Sequence, residues 1–259
     1  MIKLSHVFVY PIKALPGVQL TAATITECGA LYNDRRWGLV DRKGRMMNGK
    51  NNQRIFLLKP NFDLESETVS FVDSAGIQQV FELADLDGLS NYFSEALGKP
   101  VFLKEDKKQG FPDDLNASGP TIVSQASLKK VASWYPGLSL DDVRARFRAN
   151  LELSSAPAFW EDRLFRRDRE AKKIHIGDVV IKASNPCARC AVPIKSPTSG
   201  EAYDKFYETF INMREQTKPS WLDTACFDHW YRLGINTNIE PDQSAKVLKL
   251  GELVSVDDE

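Results

Sequence analysis

Sulfur is scarce in this chain. Its 259 residues include four cysteines, at positions 28, 187, 190 and 226. They are too few and too unevenly spaced for a secreted disulfide framework, and they point to a reducing compartment where thiols stay available for chemistry or metal. An excess of one charge is also missing. Thirty-four lysines and arginines against 35 aspartates and glutamates leave a formal net charge of -1, which argues against broad electrostatic capture of nucleic acid or anionic lipid while leaving room for a local positive pocket. No apolar run approaches the roughly 20 residues that span a bilayer. The opening "MIKLSHVFVYPIKALPG" lacks the uninterrupted apolar region of a signal peptide. The expectation is a cytoplasmic protein with neither nucleic acid nor membrane as partner.

What is present is globular: 42% hydrophobic and 27% charged residues, in a chain long enough for one large domain or two of about 100–150 residues. "IKLSHVFVYPIKA" reads as a strand that ends at Pro11. "RRWGLVDRKGRMM" and "ETVSFVDSAGIQQVFEL" read as hairpins turning at Asp41 to Gly44 and Asp73 to Gly76. "LDGLSNYFSEALG" is a helix by its apolar face, Leu89, Tyr92, Phe93 and Leu97, with Asp87 as candidate cap and Gly98 as stop. "VFLKED" resumes extended structure.

The charged, then Gly-, Asp-, Asn- and Pro-containing stretch from Lys104 to Pro120 is the expected connection, with the cut near residue 115 and domains at 1–115 and 116–259. Two short helices, "SQASLKKVASWY" and "SLDDVRARF", then precede a strand in "RANLELS". "KKIHIGDVVIKAS" and "AKVLKLGELVSV" both read as hairpins, which favours a barrel or strongly bent sheet. "DKFYETFINMREQ" is a further helix, and "SWLDTACFDHWYRLGINTNI" has no clean period. The fold class expected is mixed α/β, mainly β.

The stretch "SNPCARCAVPIKSPTSG" carries Cys187 and Cys190 as a C-x-x-C pair, and four readings are open. A redox disulfide of the thioredoxin kind wants a helix after the first cysteine, which Pro193 and Pro197 oppose. A zinc site would take Cys226 and His229 as a second pair, making Cys3His. Two buried thiols would serve packing alone. The fourth reading has one thiolate ligating a soft transition metal whose anionic cofactor is held elsewhere. That last reading asks for basic residues in apolar contexts, and Lys13, Arg35, Arg36 and Arg148 supply them.

"YPIKALPG", "DRRWGLVD", "SQASL", "RFRANLEL", "IHIGDVVIK" and "NPCARCAVPIKSPTSG", in that order, resemble MOSC-domain proteins with a MOSC N-terminal β-barrel domain, a group that includes the mitochondrial amidoxime reducing component. The resemblance implies an N-terminal β-barrel-like domain followed by a MOSC β-barrel domain with peripheral helices. It implies a molybdenum-cofactor enzyme that reduces N-hydroxylated compounds by two electrons. In the family the second cysteine of the pair binds molybdenum, which carries over to Cys190, with Cys187 as a tuning neighbour. Arg148 and Asn150 match the cofactor contacts of the family's "FRPN", Lys13 and Arg35 match its phosphate contacts, and Ser118 keeps a hydroxyl where the family has "DTSP". Ala14 and Ala117 depart from the pattern, and Arg36 has no family counterpart. The family is also associated, at family level alone, with pyridoxal phosphate binding.

The chain shows no dinucleotide glycine fingerprint, no haem attachment motif and no cysteine after Cys226, so electrons are expected from a separate reductase or electron carrier. Asp228 and His229 are candidate proton donors, with His6 and His175 holding no stronger claim. Asn236 and Asn238 are candidates to line the metal pocket or to cap a turn. The competing functions are sulfur transfer through a Cys190 persulfide, cofactor carriage, and a non-catalytic Cys3His zinc protein.

Overall fold

The computed structural model describes residues 1–73, 75–166 and 171–257. Its first half runs β1 (Lys3–Val9), β2 (Val18–Leu20), β3 (Ala22–Thr24), β4 (Trp37–Val40), β5 (Asn61–Asp63), β6 (Thr68–Val72), β7 (Gln78–Glu82), α1 (Leu86–Leu97) and β8 (Phe102–Glu105). The second runs β9 (Ile122–Ser124), α2 (Gln125–Ala132), α3 (Leu140–Phe147), β10 (Leu151–Ser154), β11 (Lys173–Ile176), β12 (Val179–Ala188), α4 (Phe206–Gln216), β13 (Arg232–Asn238), β14 (Val247–Lys249) and β15 (Val254–Val256). Strands dominate, and four α-helices stand among the described residues.

An eight-stranded sheet ordered β15-β11-β12-β13-β9-β10-β1-β2 organises the molecule. Its pairs are antiparallel except β9 with β10, and it takes strands from both sides of residue 115. β1 shows why: Leu4, Val7 and Val9 are buried, and they pack with Leu151 and Leu153 of β10 in one core. A second core belongs to the first half alone, where Trp37, Leu39, Phe71, Phe93 and Leu103 come together between α1, the β4–β8 pair and the β5-β6-β7 meander. A third gathers the apolar faces of α2, α3 and α4 around Phe147, Phe206 and Phe210.

Local chemistry explains most boundaries. Ser139 accepts from the Asp142 amide at 3.1 Å and the Asp142 side chain accepts from the Ser139 amide at 2.9 Å, a reciprocal cap that starts α3. For α1 the cap is Asp85, whose side chain accepts from the Gly88 amide at 2.9 Å. Asp87, the expected cap, sits inside the first turn, where its charge favours the helix dipole. The turn at Asp41 to Gly44 forms, but the return makes a single bridge, Val40 to Met46, and the ladder of β4 is with β8.

"AKVLKLGELVSV" is not a hairpin. Gly251, at φ +86°, donates to the Leu4 carbonyl at 2.8 Å and carries the chain across the start of β1. As a result β14 pairs with β3 and β15 with β11. β13, read from the sequence as aperiodic, is a central strand between β12 and β9.

Candidate functional site

A cavity of about 850 Å³ opens beside α3 and the loop after β12, and Lys13, Arg35, Ser118, Arg148, Asn150 and Cys190 all line it. They arrive from five separate places in the sequence, Arg148 and Asn150 sharing one. Lys13 follows β1, and its backbone amide bonds to the Trp37 carbonyl at 2.7 Å. Arg35 precedes β4 at φ +52°, and Arg148 ends α3 at φ +54°. Such left-handed backbone is uncommon outside glycine, so tertiary contacts hold both residues there. Cys190 is two residues beyond β12 and exposed, and no disulfide joins it to Cys187.

Tyr10 organises the cationic end. Its ring lies 4.1 Å from the Arg148 guanidinium carbon and 5.2 Å from that of Arg35, and its hydroxyl donates to the Ala149 carbonyl at 3.1 Å. Burial raises its pKa to about 12. Burial opposes the charge of Arg35 as well, but Asp34, which ion-pairs with it, and Asp113 more than compensate and hold its pKa above the ordinary value. For Arg148 burial wins, and its pKa is lowered. The one hydrogen bond from its guanidinium to protein among the described residues runs from Nη1 to the Leu15 carbonyl at 2.6 Å, which leaves most of its five donors for a ligand.

Lys13 pairs with Asp113 at 2.9 Å and donates to the Pro112 carbonyl at 2.9 Å. Asp113 is exposed, and Arg35 and Lys13 hold its carboxyl below the usual range. Asn150 is committed to the scaffold. Its Nδ2 donates to the Phe8 carbonyl at 3.0 Å and its Oδ1 accepts from the Thr121 amide at 3.2 Å, so it ties β1, β9 and β10 together at the cavity floor. Ser118 donates to the Cys28 carbonyl at 2.6 Å, keeping its acceptor capacity. The amides of residues 116, 117 and 119 already bond to Asp114 or Thr237, so they do not stand in for the serine hydroxyl missing at Ala14 or the aspartate missing at Ala117.

The cavity is strongly positive for a protein of net charge -1: eight lysines and arginines line it against four aspartates, among the described residues. This positive excess in low-dielectric walls gives a field that favours an anion. Cys187 lines the same cavity with its thiol pKa raised, by burial first. An exposed thiol, a guanidinium fork with open donors and room of the size that small ligands occupy fit a phosphate-bearing cofactor with a soft metal.

Two families of sequence profile match the chain. The MOSC N-terminal beta barrel domain matches residues 1–100, and the MOSC domain matches residues 117–259. The chain belongs to the MOSC family. Curated relatives include a protein named molybdenum cofactor sulfurase from Drosophila grimshawi, 24% identical over 221 residues, and one of the same name from Homo sapiens, 22% identical over 261 residues. The alignments cover 73% and 82% of this chain but 27% and 28% of those proteins, so this MOSC protein spans under a third of the relatives it matches. A solved structure, the YUAD protein from Bacillus subtilis, aligns over 99% of this chain and 96% of its own with 12% identity and a TM-score of 0.44.

Other candidates lie elsewhere. Arg36 turns away from the cavity to Glu67 and Glu105, at 2.8 and 2.6 Å, and stacks on Trp37. Asp228 pairs with Arg232, His229 accepts from the Tyr231 amide, and neither lines the cavity. Among the described residues no group of three His, Cys, Asp or Glu side chains is placed to hold a metal ion, so Cys187, Cys190, Cys226 and His229 form no zinc site. His6 bonds to Gln125 and His175 to Asp257. Asn236 does line the cavity, where its Nδ2 donates to Asn185 at 3.2 Å, while Asn238 bonds to the Asn116 carbonyl. Tyr10, Asp113, Arg146 and Arg189 were not picked out by sequence reasoning. Arg189 had a signal in its place between the cysteines, whereas Asp113 had none.

Proposed function

We propose that this MOSC protein binds molybdenum cofactor, with Cys190 as the protein ligand to the metal and Lys13, Arg35 and Arg148 at the phosphate, and that it catalyses the two-electron reduction of N-hydroxylated compounds. One observation carries the binding reading: the exposed Cys190 thiol and the incompletely bonded Arg148 fork open onto the same positive cavity. Family membership and the relatives named for molybdenum cofactor support it.

Bound there, the cofactor would supply a metal able to exchange two electrons with a substrate. The chain's own part is placement. Arg148 and Lys13 present donors to an anion, the Tyr10 ring lies against the guanidinium groups of Arg35 and Arg148, and Asn150 braces the floor. Neither Asp113 nor Tyr10 is a proton source at neutral pH, because the first is held ionised and the second holds its proton up to about 12. With no electron-carrying motif in the chain, reduction calls for a separate reductase or carrier.

Sulfur transfer through a Cys190 persulfide is the second reading, favoured by the sulfurase name of the relatives and by the exposure of Cys190. The deciding experiment is elemental and pterin analysis of wild type and Cys190→Ala from a host that makes molybdenum cofactor. Wild type is expected to carry molybdenum and reduce an amidoxime when given an artificial reductant, and the variant to lose both while staying folded. Full molybdenum content in the variant would sink Cys190 as ligand. A persulfide on wild-type Cys190 with no metal would favour sulfur transfer.

A further inference from the structure

Cys190 is exposed, yet the chain on either side of it is firmly held. On its N-terminal side, Arg189 donates from Nε and Nη2 to the Leu233 carbonyl, with the Nε contact at 2.9 Å, and from Nη1 to the Phe147 carbonyl at 3.0 Å. Its own amide bonds to the Tyr231 carbonyl at 3.0 Å. Beyond the cysteine, Arg146 donates from Nη1 to the carbonyls of Pro193 and Ile194 at 2.9 and 3.0 Å. Between the two clamps the Val192 amide meets Cys190 Sγ at 3.5 Å.

These arginines differ from Arg148. They too line the cavity, but their donors go to backbone carbonyls. Phe147 is the last residue of α3, so Arg189 also satisfies a carbonyl that the helix leaves open at its negative end. Arg189 reaches two separate elements, β13 and α3, which needs a planar fork; a lysine offers a single point. Arg146 is 5% exposed and its Nε has no partner, an arrangement that packing alone would not favour over an apolar side chain. Gly234 gives Arg189 its room: at φ +78°, a Cβ there would lie 2.9 Å from the Ile122 carbonyl oxygen and 3.3 Å from Arg189 Nη2.

We infer that Arg189 and Arg146 are positioning residues that clamp the loop on both sides of Cys190 and so fix the direction in which its thiol faces the cavity. The cofactor part of this inference rests on Cys190 being the metal ligand.

The test uses Arg189→Met, Arg189→Lys and Arg146→Met in the full chain, with hydrogen exchange of residues 190–195 and molybdenum content as readouts. Loop amides are expected to exchange about tenfold faster in Arg189→Met and Arg146→Met, while β12 and α1 keep their protection. Molybdenum content should fall with loop protection, and Arg189→Lys should fail to restore either. Should a methionine variant not fold, Arg189→Lys, which keeps charge and bulk, carries the test. Unchanged loop exchange overturns the clamp. Faster exchange with wild-type molybdenum content overturns the positioning role. Retention of molybdenum by Cys190→Ala instead overturns the ligand reading and the cofactor part with it, and loop exchange still decides the clamp by itself.

Discussion

Single residues set the electrostatics of this protein, at the cavity and away from it. Glu161 lies buried outside the cavity, with Oε2 accepting from the Ser124 amide at 3.2 Å and Oε1 lacking a partner. Burial, then the neighbouring Asp162, pushes its carboxyl up to about 7 from an ordinary 4.5. Because the folded state binds this proton more tightly than the unfolded state, stability falls as pH rises from 4.5 through 7, and the cost is fully present above 7. Glu161→Gln should match wild type near pH 4 and exceed it by about 1–3 kcal/mol near pH 8. Urea denaturation at both pH values checks this; the same difference at each would mean that ionisation plays no part. Lys13 and Arg148 were legible from sequence because basic side chains in apolar runs are conspicuous. Asp113 was not, since an aspartate in a polar loop looks the same whether or not it faces Lys13.

Elements position those residues. α3 delivers Arg144, Arg146 and Arg148 along its length and end, and its start depends on the Ser139–Asp142 reciprocal cap. Ser139→Ala should cost about 1 kcal/mol, and with it some of the cavity's cationic wall, so a denaturation midpoint and pterin content measured together should fall in step. Loss of stability with pterin content intact would separate the helix start from the site. Such caps are local chemistry, which is why α2 and α3 could be read as helices from their own residues. β13 could not, because its short alternation, with Leu233, Ile235 and Thr237 buried and Arg232, Asn236 and Asn238 half-buried, is broken at Gly234 and follows an irregular stretch, and its central place between β12 and β9 is set by distant pairing. The final strands misled for a related reason: a Gly-centred turn between two apolar runs looks like a hairpin, but Leu4 competes for Gly251 and wins.

At the scale of the molecule, β1 is the link between halves. It pairs with β10 and β2, and its buried face completes the sheet core. Residues 117–259 expressed alone should therefore show no cooperative thermal transition by circular dichroism, since β10 would keep only β9 and become an exposed edge, and Leu151 and Leu153 would lose part of their cover. A sharp transition would show that the sheet closes without β1. The cavity depends on the same closure. Lys13 and Arg35 come from the first half, Arg148 and Cys190 from the second, and Lys195 beside the cysteine loop donates to the Gly49 carbonyl at 2.7 Å.

The sequence by itself determined the residue types available, the helices, the mainly β character and the ordered motifs of the MOSC family. These follow from neighbours within a few positions, where side-chain chemistry acts directly on the backbone. Tertiary structure alone decided that β1 joins the far half, that Asn150 is committed to the scaffold while Arg148 keeps open donors, and that Arg189 and Arg146 hold the loop around Cys190. Those outcomes rest on hydrogen bonds between residues some 40 to 140 positions apart, and no local pattern records which distant carbonyl a guanidinium or amide will meet.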